Sequence, residues 1–342
     1  MNTTTTPRIA IVGAGPGGLL LSRLLHLASI PFTPYEREPH RHSREQGGSL
    51  DLHEESGQLA LKEAQLIGEF RKIARAKGED MRIADKTGHL HWEEVDTDGH
   101  GRPEVDRLLL RGWLLDSLPE DAVEWGCKVR SITPTEGGKH DIHIEAASGS
   151  EKETFDLTVG ADDTWSKVRP LLSETKPQYS TISYLDTRIH SIDTRSPHIS
   201  KFVEQGSSFA FSDYKGLMAN AMAMAVYARM LCCRWERHGL RICMWTGPIL
   251  RLRRNSCSRN MRIGMNASRI SYAVQIPPAL LYQLPTDFAW TSKQGLTSPR
   301  RRGSPYDAVC SRRRESSHAR RARTFKGHHS RHQVRGSYQY CA

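Results

Sequence analysis

The stretch Ile9–Leu25, IAIVGAGPGGLLLSRLL, decides the reading of this chain. Four apolar residues run into a glycine-rich turn, and a leucine-rich segment follows. The apolar run reads as a buried parallel strand over Arg8–Val12. Pro16–Ala28 reads as a helix and Pro31–Glu36 as a second strand, which makes a β-turn-α-β unit. Gly13, Gly15 and Gly18 hold the spacing G-x-G-x-x-G between strand and helix. The first glycine makes the tight turn, the second lets backbone approach a pyrophosphate, and the third lets the helix pack closely on the strand. The helix N-terminus offers free N–H groups and the positive end of its dipole to the phosphates. Glu36 ends the second strand 18 residues past Gly18. A carboxylate roughly 20 residues on is placed to bind a ribose hydroxyl.

The net charge of +11 over 342 residues conceals two compositions. Up to Met218 the chain has 26 Lys and Arg against 34 Asp and Glu; beyond it, 23 against 4, and 21 of those 23 are Arg. Six of the seven cysteines also lie past Met218, which leaves Cys127 alone in the first part. One cysteine in an ordinary globular portion fits a reducing compartment. The opening MNTTTTPR has no apolar signal core, and no apolar run approaches the ~18–20 residues of a membrane span. A soluble, cytoplasmic protein with no membrane partner is expected.

Ser56–Ala74 has helical spacing, with Leu59, Leu66, Ile67 and Phe70 apolar. Met81–Ala84 and His89–Val95 flank Asp85-Lys86-Thr87-Gly88 and read as a hairpin. Asp106–Leu118 reads as a helix with Asp106 as its N-cap. Val123–Val129, His140–Ala146 and Phe155–Val159 alternate like strands, and Tyr179–Ser191 and Ser200–Phe211 look like the start of a second sheet.

Glu36 is followed by Arg37, and the segments REQGGSLDLHEESGQLALKEAQL, RPEVDRLLLRGWLLDSL and VGADDTWSKVRPLL come after it in order. Together with the glycine turn they resemble the aromatic-hydroxylase type of FAD-dependent monooxygenase. GGSLDLHEESGQLAL is most similar to the tetracycline-inactivating flavin monooxygenases and their fungal relatives. The likeness covers Arg8 to about Met218. It implies an α/β fold, with a Rossmann-like FAD-binding domain over residues 1–175 to which the hairpin near 81–95 adds on the substrate side. A second, mainly β substrate domain begins at 176–218 and is incomplete.

The resemblance also implies roles for single residues. Gly13, Gly15 and Gly18 would cradle the FAD pyrophosphate. Glu36 would hold the adenosine ribose, and Arg37 would lie by the adenine. Arg44 matches a residue that contacts NADPH, and Asp51 matches a flavin contact. Arg107 opens the R-x-x-L-R pattern completed by Arg111 and matches another FAD contact. Asp162 belongs to the same cofactor-binding set. By the family's chemistry NADPH reduces the flavin, and one atom of O₂ goes onto an aromatic or polyketide-like small molecule. The flavin carries the hard chemistry, so no catalytic side chain and no metal ligand is assigned. A monomer is expected.

Elementary electrostatics bears on two of these positions. A cation in the first turn of a helix opposes the macrodipole, and a bound anion beside Arg107 would remove that penalty. The family has glycine after the aspartate where this chain has Asp163, which adds negative charge near the cofactor phosphates. At an effective dielectric of ~20, two charges ~4 Å apart interact by about 4 kcal/mol, an upper-end figure for a site that solvent reaches.

Beyond Met218 the periodicity dissolves, and Arg251–Arg254, Arg300–Arg302 and Arg312–Arg314 form arginine clusters. The family's Gly-Asp turn, followed by small residues and often His, is missing: no Gly-Asp dipeptide occurs in the chain. For Asn220–Glu236, joining each codon's third base to the next two permits RNGDGSIRTYALLSVG, similar to what the family places after GLMA. A change of reading frame near Met218 is therefore one expectation for the basic tail, residues 219–342. Disorder is another, since few apolar residues with high net charge cannot build a core. Arginine clusters could also neutralise nucleic-acid phosphates, but no recognised binding motif accompanies them. The working assignment is an FAD enzyme with a small-molecule substrate, with a damaged, non-functional homologue as the first alternative and a nucleic-acid-binding protein acting through its Arg-rich tail as the second.

Overall fold

The computed structural model describes residues 6–43, 48–95, 101–195, 197–212, 215–222 and 225–233, and the short stretches 251–253, 261–264, 271–274, 279–283 and 293–297. The opening unit forms as its pattern dictates: β1 (Ile9–Val12), α1 (Pro16–Leu27) and β2 (Phe32–Glu36). All four residues of β1 are buried. Ile9 and Ile11 pack with Leu21 and Leu25 of α1, while Ala10 and Val12 face the opposite core. That two-sided burial explains a continuously apolar strand.

Next come β3 (Ser49–Asp51), α2 (Leu59–Glu63), α3 (Ile67–Ile73), β4 (Met81–Asp85), β5 (Leu90–Glu94), β6 (Glu104–Asp106) and α4 (Arg107–Asp116). The predicted single helix over Ser56–Ala74 is broken. Gln65 adopts φ +60. The Leu66 N–H donates to Leu61 O at 2.8 Å and the Gln65 N–H to Lys62 O at 3.0 Å. This is a Schellman ending built on glutamine instead of glycine, so the stop signal is absent from the sequence. The turn lets Leu61, Leu66 and Phe70 enter one core with Leu19, Leu20, Leu110 and Leu114. Asp106 stands at the N-cap position of α4 but makes no side-chain cap. Its carboxylate pairs with Arg75 instead.

The chain then forms β7 (Glu124–Trp125), β8 (Lys128–Pro134), β9 (His140–Ala146), β10 (Gly149–Phe155), β11 (Leu157–Gly160) and α5 (Arg169–Leu172). The expected strand Val123–Val129 is two strands, because Gly126 takes φ +70 and bends the chain out of the first sheet. After these come β12 (Gln178–His190), α6 (Ile192–Arg195), α7 (Pro197–Val203), β13 (Ser207–Ser212), β14 (Lys215–Ala221) and β15 (Ala225–Cys233). The expected strand Ser200–Phe211 begins as helix α7. Pro197 opens it, and Ile199 and Val203 are buried at i, i+4 spacing. Short strands β16 (Arg251–Arg253), β17 (Met261–Gly264), β18 (Ser271–Val274), β19 (Ala279–Gln283) and β20 (Leu296–Thr297) follow.

One sheet is parallel, in the order β20-β11-β1-β2-β7. Helices α1 and α4 cover one face, and the antiparallel meander β8-β9-β10 covers the other through Val129, Ile132, Ile142 and Phe155. A mixed sheet runs β19-β12-β15-β14-β13-β4-β5, antiparallel except where β13 meets β4. The predicted hairpin is its β4-β5 edge. Backbone pairing continues beyond Met218, through β15 to Cys233. The expectations for the basic tail otherwise fall mostly on residues outside the description.

Candidate functional site

The parallel strands β1 and β11 end side by side, Val12 opposite Gly160, and their following turns meet. Gly13 has φ +105, a conformation open to glycine and strained for other residues. A Cβ there would sit 2.5 Å from Ala161 O and 3.1 Å from Asp162 Cα. A Cβ on Gly18 would collide with the Gly13 carbonyl oxygen, which is the close approach of helix to turn. At Gly15 nothing lies within 4 Å of an added Cβ. Two glycines are thus required by packing inside the protein, and the middle one borders open space at the N-terminus of α1.

Glu36 closes the loop from β2. Its Oε2 accepts from the Ala14 N–H at 3.0 Å, and its Oε1 accepts from the Glu38 N–H at 3.1 Å. A carboxylate oxygen has two lone pairs, so these bonds leave capacity for a ribose hydroxyl. Arg37 is exposed just beyond it. Arg44 lies outside the described residues. Asp51, exposed at the end of β3, stands opposite Glu104 and lies 3.5 Å from His53.

Arg107 is the first residue of α4, and its backbone N–H donates to Gly48 O at 3.1 Å. Its Nε is buried without a hydrogen-bond partner. A buried guanidinium nitrogen left unpaired at a helix N-terminus is a costly arrangement that an anion would relieve. On the β11 side, Asp162 Oδ2 accepts from the Lys167 N–H at 2.6 Å, whereas Oδ1 is buried and unpaired. Burial pushes the Asp162 carboxyl up, against the pull of hydrogen bonds from Ser166 and Lys167 and the charge of Arg169. Arg169 Nε is likewise buried and unpaired. Asp163 takes φ +62, so the position where the family has glycine does demand a left-handed residue. The open space at Gly15 and the orphaned guanidinium nitrogens fit a diphosphate-bearing dinucleotide, whereas the unpaired Asp162 Oδ1, an acceptor, suits a hydroxyl and not a phosphate.

Sequence reasoning missed the part played by Arg111, which is only 2% exposed. It lies one turn along α4 from Arg107 and reaches the glycine turn itself, donating through Nε to Ala14 O at 3.2 Å. The i, i+4 spacing of the two arginines was the available signal. Arg75 was missed as well. It pairs with Asp106 and Glu104 and donates to Ala221 O at 2.9 Å, tying the β3-β6 ribbon to the mixed sheet. Burial pushes the Glu104 carboxyl up, although Ser49, Arg75 and Ser207 pull it down.

The fold is similar to that of solved flavin-dependent hydroxylases. The 2,6-dihydroxypyridine-3-hydroxylase of Arthrobacter nicotinovorans superposes with a TM-score of 0.56 at 17% identity, over 70% of this chain and 62% of that one. Klebsiella pneumoniae HpxO complexed with FAD gives 0.54 at 16% identity, over 69% and 59%. In sequence, the chain is similar to fungal monooxygenases. It is 33% identical to Monooxygenase penA of Penicillium thymicola over 229 residues, 64% of this chain and 52% of that protein. It is also 33% identical to Monooxygenase asqM of Emericella nidulans over 241 residues, 66% and 53%. A Probable FAD-dependent monooxygenase of Arthroderma benhamiae is 31% identical over 180 residues, 50% and 40%. The chain therefore spans about half the length of the curated relatives it matches. No protein-family model matches it. Among the described residues, no helix is long and apolar enough to cross a membrane.

Proposed function

We propose that this chain is the FAD-binding portion of a monooxygenase that uses NADPH and O₂ to hydroxylate an aromatic or polyketide-like small molecule. The observation that carries the reading is the open space at Gly15, between the tightly packed Gly13 and Gly18 at the N-terminus of α1. The named relatives and the FAD-complexed neighbours support it.

In this reading the Gly13–Gly18 turn and the N-terminus of α1 bind the pyrophosphate. Glu36 holds the adenosine ribose, with Arg37 beside the adenine. Asp51 contacts the flavin, Arg107 makes a further FAD contact, and Asp162 takes the mouth of β11. Arg44 serves NADPH. When bound, FAD supplies redox and oxygen-transfer chemistry that no side chain has. The protein's own residues bind it, orient it and exclude water, and Arg107 supplies fixed positive charge to its phosphates. Residues 1–175 form the FAD-binding domain, and the mixed sheet starts the substrate domain. A cytoplasmic monomer is the simplest assembly.

The test is titration of the purified full chain with FAD, followed by flavin fluorescence and by NADPH-dependent oxygen uptake. A yellow protein with tight FAD and NADPH oxidation supports the reading. A folded chain that leaves FAD free refutes it.

A second reading, a frame-altered homologue without activity, rests on the codons that the residues of the tail allow. The run GGC-GAC-GC encodes Gly-Asp-Ala, and preceded by C it reads CGG-CGA-CGC, Arg-Arg-Arg. Moved by one base, the codons of Arg300–Ser304 permit Gly-Asp-Ala-Ala-His, the turn whose absence was noted above. The matched share of the chain, 64–66%, is close to the fraction preceding Met218. The coding DNA decides: a different codon series at Arg300–Arg302 ends this reading.

A further inference from the structure

Arg111 completes the R-x-x-L-R pattern, yet it stands behind the glycine turn with its guanidinium sealed from solvent. Its Nε donates to Ala14 O at 3.2 Å, one Nη to Arg41 O at 3.0 Å and the other to Glu38 Oε2 at 3.3 Å. Its Cζ lies 5.4 Å from the centre of the Trp125 ring, a cation–π contact on the far side. One fork thus joins α4, the glycine turn and the loop after β2.

Ala14 is held at both ends. Its N–H is taken by Glu36 and its C=O by Arg111. The Ala14–Gly15 peptide is planar and trans, so its C=O and N–H point in opposite directions. A carbonyl drawn inward to Arg111 turns the Gly15 N–H outward. Gly15 also borders open space, since nothing lies within 4 Å of a Cβ added there.

We propose that Arg111 is a positioning residue that aims the Gly15 N–H at the diphosphate of a bound dinucleotide. The inference rests on the FAD reading above for the identity of the ligand, but its geometry concerns this chain alone. Lysine cannot replace the residue fully, because one ammonium on a flexible stem cannot span three fixed acceptors and stack on an indole.

The experiment uses the full chain and two readouts. The first is the hydrogen exchange and ¹H–¹⁵N shift of the Gly15 amide without ligand, in wild type, Arg111→Lys, Arg111→Met and Val203→Ala. Val203 is buried in α7, away from the turn, and controls for general loss of stability. The second is titration with ADP, which carries the diphosphate and adenosine but no flavin. Expected are a displaced, faster-exchanging Gly15 amide in Arg111→Met and ADP binding weakened by ~10–100-fold, the scale of a charge-assisted hydrogen bond. Arg111→Lys should fall between, and Val203→Ala should lower the melting temperature without moving either readout. A wild-type Gly15 amide environment in Arg111→Met, or an equal loss of ADP affinity in Val203→Ala, overturns the inference. Failure of the wild type to bind ADP and FAD overturns the FAD reading instead, while the Gly15 amide still judges Arg111.

Discussion

The turn after β1 and the turn after β11 stand next to each other at one end of the parallel sheet, and they meet a similar backbone demand with different residues. After β1 the left-handed position is Gly13, at φ +105. After β11 it is Asp163, at φ +62. Glycine carries no Cβ and adds no charge. Aspartate reaches the same region at a cost of roughly 1–2 kcal/mol and brings a negative charge to the mouth of the sheet. The first turn meets the demand without strain or charge, and the second meets it with both. Position within the sheet sets where a ligand can go, and the local residue sets how well it is received.

The largest effect is expected at the turn that tolerates least. Gly13→Ala would place a Cβ 2.5 Å from Ala161 O, pressing the two turns apart. The cost should exceed ~2 kcal/mol from strain and overpacking combined, seen as a lower melting temperature and loss of bound flavin. If Gly13→Ala melts and binds like the wild type, the contrast between the turns has no content.

Next comes Arg107→Met. Removing the unpaired buried Nε should leave the ligand-free chain no less stable, while FAD affinity falls by ~10–100-fold. Calorimetry with and without FAD checks both halves. A variant that loses stability and keeps its affinity would make Arg107 a packing residue.

Asp163→Gly should move the second turn towards the first. Relief of the left-handed strain is expected to raise stability by up to ~1 kcal/mol, and loss of the anion should tighten FAD several-fold. Thermal melts at two salt concentrations separate strain, which ignores salt, from charge, which does not.

The smallest effects are in the pH dependence. Burial raises the Asp162 carboxyl above its ordinary 3.8. The protonated form is favoured by the fold, so this contribution is complete below pH 3.8 and is lost as pH rises through the raised value. Asp162→Asn should flatten that dependence in the ligand-free chain. Asp85 behaves oppositely: the Thr87 hydroxyl, with the Thr87 and His89 N–H groups, holds its carboxyl down at about 2. Its contribution is present above pH 3.8 and fades as pH falls towards about 2, and NMR of the exposed β4-β5 hairpin is its measure.

Local features were legible and remote ones were not. The β1-turn-α1-β2 unit could be read because its spacing is local: glycine positions, a proline opening the helix, and a carboxylate at a fixed interval. The Asp106 cap was a sound local inference that Arg75 overrode, drawing the carboxylate away from the helix N–H groups. The break at Gln65 could not be read, because glutamine carries no turn signal and only the shared core with Leu19 and Leu110 rewards the bend. Only Ser200–Val203 was misread as strand: the helix start lies upstream at Pro197, and the i, i+4 pair Ile199 and Val203 straddles the expected boundary.

By itself, the sequence determined the dinucleotide-type turn, the acidic end of β2 and the change of composition past Met218, for each is written in neighbouring residues. Tertiary structure alone decided the fates of Arg107 and Arg111, four residues apart on one helix. The partners of Arg111 lie 70–97 residues away in the chain, and only folding brings them within hydrogen-bond reach. Arg107 Nε, by contrast, is buried without a hydrogen-bond partner, a condition that no local pattern in the sequence could announce.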